Sequence, residues 1–207
     1  MQKTIIVLAN SRKMMNRCIA GIDIDTGKWI RPCYGDGNDG IPYDIRQVNG
    51  GEPKLLDVIR LSLKKDGPNR EYQPENRGLF KKRWEKIAEA SIRDVIKYVN
   101  TRTPIFYNAT DRVGIREIEK IPRQDRYSLC LIETKVKFVT GAADGKKRVY
   151  ANFKYGKVEY RLTVTDFEFE KSFPPYSERE TECLLTISLG VPYRNYCYKL
   201  VAGVIEI

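Results

Sequence analysis

The chain has 207 residues, 42% of them apolar, and its 13 Tyr, seven Phe and two Trp suffice for a sizeable core in one domain or two small ones. It has no histidine, which removes Ser-His-Asp and Cys-His nucleophiles, His-ligated metals and the usual general base near neutral pH. Five cysteines without Cys-x-x-Cys spacing argue against a disulfide framework or a common zinc site, and 37 basic against 27 acidic residues leave a charge of +10 that suggests polyanionic partners.

In chain order, the first third reads as strands over Lys3 to Ala9, Arg17 to Ile24 and Lys28 to Cys33, followed by a turn-rich span from Tyr34 to Pro53 and a strand over Leu55 to Leu63. Cys18, Ala20, Ile22 and Ile24 share one face of the second strand. Gly21 falls on the other face, where a strand glycine marks a bend or bulge and suits a small closed barrel better than a flat sheet. The stretch IDIDTGKWIRP, residues 22 to 32, superficially resembles ion-binding loops. As a calcium loop it lacks a third ligand, the central glycine and the closing glutamate. As a phosphate loop it has Ile22 where a glycine is needed and Trp29 where a hydroxyl is needed. Alternation on both sides of Asp25-Thr26-Gly27 predicts a hairpin turned by Gly27.

In the middle, Trp84, Ile87, Ala88, Ser91, Ile92, Val95 and Val99 recur at spacings of three and four, with Lys86, Glu89, Arg93 and Lys97 opposite. This pattern predicts an amphipathic helix closed by Thr103-Pro104. Strands return over Ser128 to Thr140, Lys147 to Tyr155, Lys157 to Thr165, Leu184 to Leu189 and Tyr196 to Ile207. The order is that of an α+β, mostly β protein with two small β modules and a helical segment between them. The expected division is 1-66, 67-124 and 125-207. Neither parallel βαβ alternation nor a glycine-rich nucleotide fingerprint is present.

The runs ANSRK, RCIAGIDIDTGKWIRP, QPENRGL, YRLTVTD and SLGVPYRNYCYKLVAGVI together resemble a prokaryotic family of uncharacterised dual OB-fold domain proteins, nearly end to end. The resemblance implies two OB-like barrels and, by analogy, binding of single strands.

Single-strand binders of this kind pair a basic groove with aromatic rings on which bases stack. Basic and aromatic residues interleave at Lys28-Trp29-Ile30-Arg31, Lys81-Lys82-Arg83-Trp84, Lys147-Arg148-Val149-Tyr150 with Lys154-Tyr155, and Tyr193-Arg194-Asn195-Tyr196. Trp84 heads an apolar pattern and reads as core, Trp29 suits a barrel plug as well as a base, and Tyr155 shares the face of Val149, Ala151 and Phe153. Arg148, Tyr150, Asn152 and Lys154 share the opposite face, the expected contact surface of the second module. In the first module the expected contacts are Arg12, Lys13, Arg17, Lys28, Trp29 and Arg31, and at the C-terminal end Tyr193 and Arg194 join them. The expected partner is nucleic acid, single-stranded in preference to duplex.

Two other readings stay open. One is a protein-binding module that offers a strand edge. The other is a magnesium-dependent nuclease or phosphoryl-transfer enzyme, which requires Glu75, Asp111 and Asp166 to converge; each also fits an ion pair, a turn cap or a strand end. The cysteines lie mostly in apolar strands as small hydrophobes. No cofactor is expected. Without a signal-peptide pattern or a long apolar stretch, a cytoplasmic protein with no membrane partner is expected.

Overall fold

The computed structural model describes residues 1-68, 71-143 and 146-207. Strands make up 51% of the chain and helices 14%, so the protein is mostly β. It divides into two compact units, Met1–Tyr98 and Val99–Ile207. Residues 67-98 accordingly belong to the first unit and 99-124 to the second.

The first unit is built on β1 (Gln2–Lys13), β2 (Asn16–Asp23), β3 (Trp29–Cys33), β4 (Asp57–Ser62), β5 (Asn76–Gly78) and β6 (Glu85–Glu89), with a single-turn helix α1 (Tyr43–Arg46) between β3 and β4. The sheet order is β5-β3-β2-β1-β4-β6, with β3 and β5 parallel. An antiparallel bridge between Leu63 and Leu79 returns β5 to β4 and closes a five-stranded ring. Inside it pack Ile5, Val7, Ile19, Ile59, Leu61 and Trp84.

Strands that curl into so small a ring must approach closely, and Gly21 is where they do. A Cβ there would stand 2.1 Å from the carbonyl oxygen of Ile6, next to the bulge between Val7 and Ala9 in the β1-β2 register. The β2-β3 connection is the expected hairpin: Gly27 has φ +68°, and its N–H donates to the Asp23 carbonyl at 2.8 Å.

Residues 84-99 do not form the expected helix. They form the edge strand β6, then α2 (Ile92–Val95) and a single 3-10 turn over Ile96–Tyr98. The Asp94 carboxylate accepts from both the backbone N–H and the hydroxyl of Ser91 at 2.7 Å, which starts the helix after Ser91 and leaves the preceding residues free to pair. They pair with β4, held by Arg60 with Glu85 at 3.0 Å and Asp57 with Lys86 at 2.7 Å. Ile87 is the bulged residue and is 39% exposed, so only Trp84 and Val95 of the apolar series are fully buried.

The second unit comprises β7 (Arg112–Gly114), α3 (Ile115–Glu119), β8 (Leu129–Ala143), β9 (Lys146–Tyr155), β10 (Val158–Val164), α4 (Phe167–Ser172), β11 (Glu178–Leu189) and β12 (Tyr196–Glu206). The order is β10-β9-β8-β11-β12-β7, and a parallel pairing of β10 with β12 closes this ring too. Both units thus have the five-stranded, partly open Greek-key barrel of an OB-fold, with a short helix between the third and fourth strands. Phe138, Phe169 and Phe173 pack α4 onto β8, with ring centroids 4.5 and 6.1 Å from Phe138.

Gly21→Ala forces β1 and β2 apart at their closest approach. It is expected to destabilise the first unit by about 1–3 kcal/mol, read from the midpoint of urea unfolding. An unchanged midpoint would mean that the bulge absorbs the methyl group.

Candidate nucleic-acid interface

The outer face of β9 and β10 in the second unit is an arginine-tyrosine surface built by strand alternation. Val149, Ala151 and Phe153 point into the barrel, Arg148, Tyr150 and Asn152 are half-buried on the outside, and Lys154 is exposed. Antiparallel pairing sets Thr163 opposite Tyr150, Arg161 opposite Asn152 and Glu159 opposite Lys154. The Arg161 guanidinium lies 4.5 Å from the centroid of the Tyr150 ring. Gly141 of β8 makes room for that ring, since a Cβ there would be 2.8 Å from Tyr150 Cε2. A shallow groove of about 320 Å³ runs beside the pair, lined by Asn152, Phe153, Lys154, Glu159, Tyr160 and Arg161.

The cations on this side differ in what holds them. The Lys147 ammonium donates to the Phe173 carbonyl and Arg148 lies 4.0 Å from Glu170, so both are tied to the α4 region. Lys135 and Lys137 of β8 meet Glu180 and Glu178 at 3.2 and 2.9 Å, exposed pairs that hold little energy and give way readily to a polyanion. Asn152 donates to the Lys137 carbonyl at 3.2 Å.

A second group surrounds the β11-β12 turn. Arg194 and Asn195 have φ of +47° and +67°, and reciprocal backbone bonds of 2.8 and 3.0 Å link Tyr193 with Tyr196. Two successive left-handed residues form the tight turn that matches strand twist. It lifts Tyr193 to 58% exposure, with Arg194 5.2 Å from its ring centroid. On β7, Arg112 lies 4.9 Å from the ring of Tyr196 and 5.8 Å from that of Tyr198. Sequence reading missed Arg112, Tyr198 and Arg161. Tyr196-Cys-Tyr198 alternation was a usable signal, whereas the pairing of β7 with β12 and the diagonal from Arg161 to Tyr150 are tertiary.

The first unit treats its expected contacts differently. Arg17 and Arg31 are only 7% and 2% exposed, which corrects the expectation that they present cations to solvent. The segment after β3 folds back over β2: Ile41 N–H donates to the Arg17 carbonyl at 2.7 Å, and Gly40, with φ +77°, packs against it. Arg17 Nε lies 3.2 Å from Glu52, and Arg31 Nη1 donates to Asn76 Oδ1 at 3.1 Å. The Lys13 ammonium donates to the Gly37 carbonyl, Arg12 is half-buried opposite Arg17 across the β1-β2 hairpin, Lys28 is exposed on its turn, and Trp29 is half-buried opposite Ile22. These six residues form no single outward surface.

The carboxylates of the nuclease reading have structural settings. Asp166 caps α4, accepting from Phe169 N–H at 3.1 Å and Val204 N–H at 2.9 Å, while burial pushes its carboxyl up to about 6. Glu75 is buried, and its carbonyl accepts from Arg31 N–H; Asp111 is exposed beside Arg112 at 3.9 Å. Among the described residues no group of three or more acidic or thiol side chains forms a metal-holding set. Burial pushes the thiols of Cys33 and Cys183 up to about 12 and that of Cys197 to about 11.

Lys199 of β12 is 1% exposed, donating to the Asn108 carbonyl at 2.7 Å and to Asn108 Oδ1 at 3.0 Å. Its ammonium sits 5.2 Å from the centroid of Tyr160, whose hydroxyl accepts from Ile105 N–H at 3.0 Å. These bonds tie residues 105-108 to the side of the barrel. Burial pulls the Lys199 ammonium down to about 8.

A model of the dual OB-containing domain family matches residues 3–204. No curated protein matches the chain. Among solved structures, the crystal structure of the tetrameric p202 HIN2 aligns over 100% of this chain and 93% of that one, at 8% identity and a TM-score of 0.34, too distant a likeness to build on.

The Lys199 value lies below the unfolded 10.5, so between the two the unfolded chain binds the extra proton. The contribution of Lys199 to stability is therefore least favourable below about pH 8 and improves as pH climbs from about 8 to about 10.5, whereas the raised thiols of Cys33, Cys183 and Cys197 act in the opposite sense above about 9. Lys199→Met is expected to remove this contribution, worth about 3 kcal/mol, seen in urea unfolding followed against pH as a difference between the two proteins that changes between about pH 8 and 10.5. Parallel profiles for the two proteins would show that the ammonium is not buried at a cost.

Proposed function

We propose that this chain, which belongs to the dual OB-containing domain family, binds nucleic acid through the outer face of β9 and β10, and single strands in preference to duplex. The observation that carries this reading is the Arg161-Tyr150 pair with Arg148 and Lys154 on the same face. This is the face that OB barrels turn to oligonucleotides, their second and third strands, flanked by the loop between the fourth and fifth. That loop here bears Tyr193 and Arg194. The exposed Arg161 guanidinium and the half-buried Tyr150 ring offer stacking area to an unpaired base, whereas bases in a duplex are already stacked and hydrogen-bonded. In the first unit, Lys28, Trp29 and Arg12 are separate secondary contacts. No helix among the described residues is long and apolar enough to cross a membrane. A reducing cytoplasm suits five free thiols.

Fluorescence anisotropy with labelled single-stranded and duplex DNA and RNA tests the reading. Tyr150→Ala and Arg161→Ala should each weaken single-strand binding by about five- to a hundredfold, the range of one lost base-stacking contact. Arg148→Ala with Lys154→Ala should weaken binding evenly across sequences and flatten the slope of log affinity against log salt by about 1.4, or 0.7 for each phosphate contact. Wild-type affinity in all three variants would exclude this face.

A further inference from the structure

Two of the five free thiols meet in the first unit. Cys18 of β2 and Cys33 of β3 both line a small cavity of about 10 Å³ beneath the segment that folds back over β2. Their meeting follows from strand register. Gly21 is paired with Ile30 and Ile22 with Trp29, and the same antiparallel register carried further along both strands sets Cys18 opposite Cys33. The backbone ladder stops short of that position because Pro32, next to Cys33, has no N–H to donate. Alternation along the strands keeps Cys18 on one side with Ala20 and Ile22, and Cys33 on that same side with Trp29 and Arg31, away from the core side chains of Ile19 and Ile30.

The Cys33 carbonyl accepts from Leu79 N–H at 2.8 Å, so its backbone polar groups are turned toward β5 and not toward β2. At such a position, facing Cα atoms of antiparallel strands stand about 4.5 Å apart, within the separation of about 4.4–6.8 Å that a disulfide spans. The other thiols face no cysteine across their strands: Cys130 pairs with Ile187, Cys183 with Thr134 and Glu206, and Cys197 with Val113. Access differs within the pair. Cys18 is half-buried and Cys33 is buried, and burial, followed by the nearby Cys18, pushes the Cys33 thiol up to about 12. Cys18 is thus the sulfur that meets an oxidant from solvent, and Cys33 stands behind it as a protonated thiol. The returning segment leaves β3 at Cys33 and rejoins β2 beside Cys18, where Ile41 N–H donates to the Arg17 carbonyl at 2.7 Å.

We propose that Cys18 and Cys33 form a redox switch, a cross-strand disulfide made by hydrogen peroxide and reopened by a small thiol. The Cys18 sulfur attacks one peroxide oxygen and becomes a sulfenic acid as water is released. The Cys33 sulfur then displaces the hydroxyl group, which leaves as a second water with the Cys33 proton. Two thiols thereby lose two electrons and one peroxide becomes two waters. The bridge fastens the start of the returning segment to β2, next to the place where Ile41 already fastens its end. The switch is independent of nucleic-acid binding in the second unit.

The test adds hydrogen peroxide in small excess to the reduced full chain and counts free thiols after denaturation. The count should fall from five to three as one pair is consumed, peptide mapping without reductant should recover Cys18 linked to Cys33, and dithiothreitol should restore all five. Because a disulfide restricts the unfolded chain, the thermal midpoint of the oxidised protein should rise by about 5 °C or more. Cys18→Ser, at the half-buried position and safer for folding, should lose both the linked peptide and the rise. Five thiols that persist, Cys18 carried on to a sulfinic acid with Cys33 still free, a different cysteine pair, a bridge between two chains, or an oxidised midpoint no higher than the reduced one would each overturn the proposal.

Discussion

Closing a ring of five short strands is the constraint on which the rest of this protein depends. Each ring contains one parallel pair, β3 with β5 and β10 with β12, and neither pair extends beyond three registered positions. Such short contacts hold only if the other strands curl strongly enough to bring the ends together. The curl is supplied by register shifts between Val7 and Ala9 and between Thr186 and Ile187, and by the close passage of Gly21 over the Ile6 carbonyl. Closure fixes which side chains face inward, and the outer face of the second and third strands follows from it as a defined surface.

The two units then use that surface in opposite ways. After β3 the chain turns back at Gly37 and Gly40, covers β2 and shuts Arg17 inside, while Arg31 is buried against β5. After β10 the chain passes straight into α4, anchored by Asp166 and a cluster of phenylalanines, and the outer edges of β9 and β10 stay open. One topology therefore yields a sealed basic interior in the first unit and an accessible arginine-tyrosine face in the second. The difference lies in the connections and not in the strands.

This explains what the sequence made legible. Period-two alternation located the long strands to within a few residues at most of their ends, and Val158 to Val164 even kept its predicted inside and outside. The hairpin at Gly27 and the bend at Gly21 were readable because glycine has few other reasons to stand in those places. Residues 84-99 misled because a bulge breaks the period of an edge strand: with Ile87 pushed out, Trp84, Ala88 and Val95 mimic a helical stripe. Arg17 and Arg31 misled for a different reason. On a strand, a basic residue beside a buried aliphatic one reads as outward-facing, and only later segments cover it, residues 34-41 over Arg17 and β5 beside Arg31.

A net charge of +10 therefore says less than the placement of individual cations. Arg17, Arg31, Arg46 and Lys199 are buried, and each is engaged by a carboxylate, an amide oxygen or a carbonyl inside its own unit. Burial makes such groups costly to leave uncompensated, so they demand internal partners and contribute little to an approaching polyanion. Lys154, Arg161 and Arg194 remain in water, where screening weakens each singly but a strand of phosphates can engage them in succession. The same kind of side chain thus organises a fold in one place and a binding surface in another, and desolvation decides between them.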